Sequence, residues 1–148
     1  MNRLFALLAA FAMLGSVAFA ADRASVDDAK AMAVKAAAFL KDSGPEKAFP
    51  AFQAKDNNDW HDRDLYVFVQ DSKGMMMSHG TNPALIGKPM LALKDVDGKP
   101  FNVEMQAVKD TGWVEYKWQN PQTKAVEPKK AYIVRVGDYI VGVGAYVQ

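Results

Sequence analysis

The chain has 148 residues, with 18 Lys and Arg against 17 Asp and Glu, and no cysteine. A near-neutral balance without basic blocks leaves no electrostatic footprint for nucleic acid. The missing thiols exclude disulfides, cysteine metal sites and thiol catalysis, so the fold must rest on packing alone.

The first twenty residues have the layout of a secretory signal peptide. Asn2 and Arg3 give a short positive start, Leu4 to Leu14 form an uncharged apolar core, Gly15 and Ser16 break it, and Ala18-Phe19-Ala20 places small residues where a peptidase reads. Cleavage is expected between Ala20 and Ala21. Retention as an anchor is the alternative, but the apolar run is at the short end for a hydrocarbon core of about 30 Å. No second long apolar run follows, so the rest of the chain is expected in the periplasm or outside the cell.

Ser25 with Asp28 three residues on makes a capping-box-like start. Ala29, Met32, Ala33, Ala36, Ala37 and Leu40 then recur at helical spacing, which predicts an amphipathic helix over 26–41. Its alanine face allows close approach but buries little area. After Ser43-Gly44-Pro45 a second helix is expected over 46–54, with Ala48, Phe49 and Phe52 toward the core, before the polar loop "KDNNDWHDRD". Leu65–Gln70 and Met75–His79 read as two strands of a hairpin around Asp71-Ser72-Lys73-Gly74. "NPALIGK" and "KDVDGKP" are connections, and Phe101, Met105 and Val108 place a short helix after Pro100. Strands at 113–118, 131–136 and 139–147 follow, separated by "QNPQTK" and Gly137-Asp138. Short turns within each strand group imply antiparallel pairing. The expected fold is α+β: a PAS-like or profilin-like five-stranded antiparallel sheet with a long N-terminal helix.

The blocks "YVFVQDSKGMMMSH", "NPALIGKPMLALKDVDGKPF", "GWVEYKWQNP" and "PKKAYIVRVGDYIVGVGAYV" resemble, in order and spacing, a single Cache domain of type 2. The resemblance covers residues 25–147, taken here as one sensor domain. It implies an extracytoplasmic module that senses small organic acids in a pocket over one sheet face, of the kind borne by chemoreceptors, histidine kinases and cyclases. No output domain is read in this sequence, so the expectation is a module that captures or reports a ligand to a membrane-bound signalling or transport protein. Pairing of two copies through the N-terminal helix is a further implication of the family.

Strand alternation offers a set of pocket residues. Val114, Tyr116 and Trp118 are expected to look inward, with Glu115 and Lys117 outward. Tyr66 shares a face with Phe68, and Met77 shares one with His79. On the strand at 131–136 and the residue before it, alternation groups Lys130 with Tyr132, and a lysine beside a tyrosine can supply charge and a directed hydrogen bond to a carboxylate. The family's lysine, three before the tyrosine, is Lys129. Both lysines stay open. His79 fits either a strand end capped by backbone or a pocket donor, and the resemblance favours the pocket. Trp60 is expected as an apolar lid and His61 as a solvated neighbour.

Three consecutive methionines raise soft-metal ligation, but neighbours on a strand point to opposite faces, so packing is expected. "DNNDWHDRD" and "DVDGK" lack the ligand spacing of a calcium loop and read as turns. No metal or cofactor is called for. The chain has no Gly-x-Ser-x-Gly and no HExxH, and only His79 near a carboxylate such as Glu104 could act as a base. The expected function is therefore non-catalytic: a small-ligand sensor for pyruvate, lactate, acetate or a similar acid, or alternatively an interaction subunit working through its surface.

Overall fold

The computed structural model describes residues 22–148, so the signal-peptide reading lies outside the described residues. Helix α1 spans Val26–Ser43 and starts at a complete capping box: Asp28 N donates to Ser25 Oγ at 3.0 Å, and Ser25 N to Asp28 Oδ2 at 2.9 Å. Gly44, at φ 78°, ends it in a conformation that favours glycine, and α2 (Pro45–Gln53) follows at once. No described helix is long and apolar enough to cross a membrane.

The stretch expected as pure loop contains a two-residue strand, β1 (His61–Asp62), paired with the start of β2 (Leu65–Asp71) across a turn in which Arg63 takes φ 54°. Strand β3 (Met76–His79) completes the hairpin with β2. The chain then makes a 3₁₀ turn at Pro83–Leu85 and runs back along β3, where Met76 N donates to Lys88 O and Gly87 N to Met76 O. That segment covers the open edge of β3 and delivers Met90 to the interior. Helix α3 (Phe101–Ala107) leads to β4 (Thr111–Gln119), β5 (Val126–Val136) and β6 (Tyr139–Tyr146).

The antiparallel sheet has the order β1-β2-β6-β5-β4, with β3 also on β2, so the last strand lies centrally between the two strand groups. Counting β1 there are six strands, one more than expected. On one face Leu65, Val67, Val69, Val141, Val143 and Ala145 pack beneath α1 and α2, against Ala29, Ala33, Ala36 and Phe52. The small side chains let α1 lie close on β5 and β6. The sheet takes up the alanines, and α1's outer face bears Lys30, Val34 and Lys35. The opposite face packs Tyr66, Phe68, Ile133 and Ile140 against Phe101, Met105, Met90 and Met76.

A polar clamp ties the start of α1 to the β4–β5 turn. Asp64, fully buried, accepts from Ala24 N at 3.0 Å and from Asn120 Nδ2 at 3.4 Å, while Arg23 pairs with Glu127.

Candidate functional site

The layer on the face away from α1 holds the buried polar residues Gln70, His79, Asn102 and Lys129. Strand β6 reads Gly142-Val143-Gly144, and both glycines point to this face. A Cβ on Gly142 would overlap the Phe68 ring, and one on Gly144 would overlap the Lys129 stem. Bare backbone here lets an aromatic ring and a lysine lie flat on the sheet.

Lys129 is 1% exposed. Its register with Tyr116 on β4 and Tyr146 on β6 surrounds it with aromatic rings. Nζ lies 4.2 Å from the Tyr66 ring centre and 5.1 Å from that of Tyr146, and donates to Tyr66 Oη at 2.9 Å. No carboxylate pairs with it among the described residues. Burial pushes the Tyr116 and Tyr146 phenols upward, so both stay protonated.

The His79 ring lies tilted against Tyr66, with centres 4.8 Å apart, and is 4% exposed. Its Nδ1 accepts from Asn82 N at 2.9 Å and Thr81 N at 3.2 Å. An acceptor role at Nδ1 puts the proton of the neutral ring on Nε2. Burial, with the Lys129 charge second, pushes the imidazole down to about 3, so it stays neutral near pH 7. Nε2–H makes no hydrogen bond among the described residues and is left as a donor.

Two spaces meet at this ring. An inner cavity of about 10 Å³, lined by Tyr66, Phe68, Met76, Asn102, Met105 and Tyr116 among others, lies under α3. An outer pocket of about 370 Å³ opens beside it, with Lys94, Asp95, Lys117, Lys124 and Pro121 on its walls. His79 and Trp118 line both and form the partition. Phe101 of α3 stacks flat on Tyr116, with ring centres 4.4 Å apart, and so fixes α3 over the inner cavity.

Of the expected pocket residues, the structure brings Tyr66, Phe68, His79, Tyr116, Trp118 and Lys129 together. Four lie elsewhere. Trp60 is not a lid: it is core beneath the helices, with its ring 4.9 Å from Phe52 and 5.2 Å from Phe39. Met77 turns to the helix side because a bulge opposite Val69/Gln70 breaks the alternation, leaving Met76 and His79 on the pocket face. Lys130 and Tyr132 do share a face, but it is the helix side. Tyr132 packs 4.8 Å from Trp113, and Lys130 stands over Trp113 and 3.8 Å from Glu115. β5 pairs without a bulge from Val126 to Val134, so Lys129, Ala131 and Ile133 necessarily take the other face. His61 is partly buried between the carbonyls of Asn57 and Gly80 rather than solvated, and Glu104 is exposed beside Lys99.

Sequence reasoning missed Gly142, Gly144, Gln70 and Asn102. Glycines two apart in a strand were a usable signal of close approach. Gln70 and Asn102, polar residues in apolar segments, are both buried. Gln106 Nε2 donates to Asp71 O at 2.9 Å and to Gln70 Oε1 at 3.2 Å, and Gln70 Nε2 donates to Asn102 Oδ1 at 2.7 Å.

The comparisons with known proteins agree with this architecture. The methyl-accepting chemotaxis protein McpP of Pseudomonas putida is 33% identical over 93 residues, which is 60% of this chain and only 17% of McpP. The solved structure of a methyl-accepting chemotaxis protein from Vibrio parahaemolyticus superposes with a TM-score of 0.72 at 24% identity, over 82% of this chain and 88% of that one. A Cache chemosensory domain solved to explain carboxylic acid recognition gives 0.63 at 23% identity, over 82% and 88%. These two likenesses establish the fold. The single Cache domain 2 family model matches residues 22–148, the whole described chain, and the protein belongs to that family.

Proposed function

We propose that this is a non-catalytic sensor module that acts in the periplasm or outside the cell and binds a short organic acid such as pyruvate, lactate or acetate at the inner cavity. The observation that carries the reading is Lys129: a buried ammonium held only by a phenol, with no carboxylate of its own. An isolated buried charge is costly. An entering carboxylate supplies the counter-charge through Tyr66, with His79 Nε2–H as a second donor. Carboxylic acid recognition by a Cache domain of the same fold supports this, and the signal-peptide layout of residues 1–20 supports the location. His79 and Trp118 are the groups to move on entry. The β4–β5 turn on the outer rim carries the change through Asn120 and Asp64 to the start of α1. A membrane-bound signalling protein is the fitting recipient, in line with the receptor relative.

Isothermal titration of the purified protein with acetate, propionate, pyruvate and lactate tests this. Heat of binding with at least one acid, and a rise in Tm with its concentration, are expected. Absence of both effects for all four removes the reading.

A further inference from the structure

Asn102 Nδ2 is the sole fully buried side-chain nitrogen or oxygen among the described residues with no hydrogen-bond partner. Asn102 is 1% exposed and lines the inner cavity. A stranded buried donor is destabilising, so it calls for an explanation.

Hydrogen-bond chemistry decides which end of this amide faces away from Gln70. The carbonyl of Asp71 can only accept, so Gln106 must present Nε2 to it. The same nitrogen donates to Gln70, which fixes Oε1 of Gln70 as acceptor and its Nε2 as donor. Asn102 therefore turns Oδ1 to Gln70 and keeps Nδ2–H for the cavity. Two acceptors on the lining are also committed: His79 Nδ1 to two backbone N–H groups, and Tyr66 Oη to the Lys129 ammonium. The cavity thus offers N–H donors at His79 and at Asn102.

We infer that Asn102 is a specificity-determining residue that donates to an oxo oxygen beside the ligand's carboxylate, so that the domain selects 2-oxo acids over unsubstituted acids of equal length. This rests on the carboxylate reading above and goes beyond it by assigning the second contact. An oxo oxygen only accepts, and it meets a donor that is otherwise unpaired. A methylene in its place leaves that donor stranded, the situation in which a site rejects an analogue strongly. At about 10 Å³ the cavity has room for about one water, so even a short acid enters only as the lining gives way. Met76, Met90 and Met105 on its lining supply flexible side chains that can shift to admit one.

The test is titration of the full protein with pyruvate and with propionate, which differ at the second carbon alone. Pyruvate is expected to bind tighter by roughly 5- to 100-fold, the worth of one satisfied buried donor. In Asn102→Leu the ratio is expected to fall toward one, chiefly through loss of pyruvate affinity. Gln106→Leu, at a partly exposed position, releases the amide chain from its carbonyl anchor and is expected to lower the ratio partway. It decides the matter should Asn102→Leu not fold. Equal affinity of the unaltered protein for both acids overturns the assignment and leaves the carboxylate reading standing, whereas binding of neither removes both. A ratio unchanged in the folded variants also overturns it.

Discussion

The two faces of one sheet are built by different rules. Beneath α1 and α2 the contacts are valine, alanine and aromatic rings, with few polar atoms to satisfy. Beneath α3 the strands carry Lys129, His79, Gln70 and two bare glycines, and the gaps are filled by methionine. The first face is specified by shape and area, the second by hydrogen bonding and by space left unfilled. Such a division predicts that changes on the helix face cost stability and spare ligand binding, whereas changes on the other face cost binding and largely spare stability.

The sharpest test on the helix face is Trp60→Ala. Removal of a buried indole packed on Phe39 and Phe52 is expected to cost about 3–5 kcal/mol in urea unfolding. Acid affinity of the protein that remains folded should be unchanged, and a lost affinity would restore Trp60 as a lid. Next in size is the acid sensitivity of His79. The folded protein keeps this ring neutral down to about pH 3, while the unfolded chain protonates near 6.5. Between those values the unfolded state binds more protons, so stability is full above pH 6.5 and falls as the pH drops toward 3. The loss is up to about 1.4 kcal/mol per pH unit crossed. Urea unfolding at pH 7 and pH 4 should show this loss, and His79→Gln should show distinctly less of it.

Lys129→Met separates the two rules most directly. Replacing an unpaired buried ammonium by an apolar chain of similar length should leave Tm unchanged or raised. Acid binding should weaken by roughly 10- to 100-fold, the value of a charge-assisted hydrogen bond. The smallest effect belongs to its neighbour. Lys130→Ala removes a half-exposed contact with Glu115 and is expected to cost less than about 1 kcal/mol, with acid affinity unmoved in titration.

Apart from the two-residue β1, the elements are legible in this sequence because the helices and longer strands have a clean period and turn residues mark most of their ends. The family resemblance likewise rests on motif order, which the fold preserves. Face assignment is where reading from sequence stops. Alternation groups Lys130 with Tyr132 correctly, but nothing local says which group meets α1. The bulge opposite Val69/Gln70 shifts Met77 and Met76 between faces, and a bulge leaves no mark in "MMMSH". Trp60 looked like a lid because it sits in a polar loop, yet tertiary packing takes it inward. Asn102 was invisible because its meaning depends on Gln70 and Gln106 being beside it in space.

The alanine face of α1 also bears on how the chain is made. Of the described elements helix α1 leaves the ribosome first, and the strands it rests on, β5 and β6, come last. The Arg23–Glu127 pair, 104 residues apart, cannot close until then. Until β5 and β6 emerge the helix is without its partner. A face of leucines would be a sticky intermediate over that interval, whereas one of alanines exposes little apolar area and carries a low risk of misassociation. Modest packing in the finished fold is thus matched by safety during the wait.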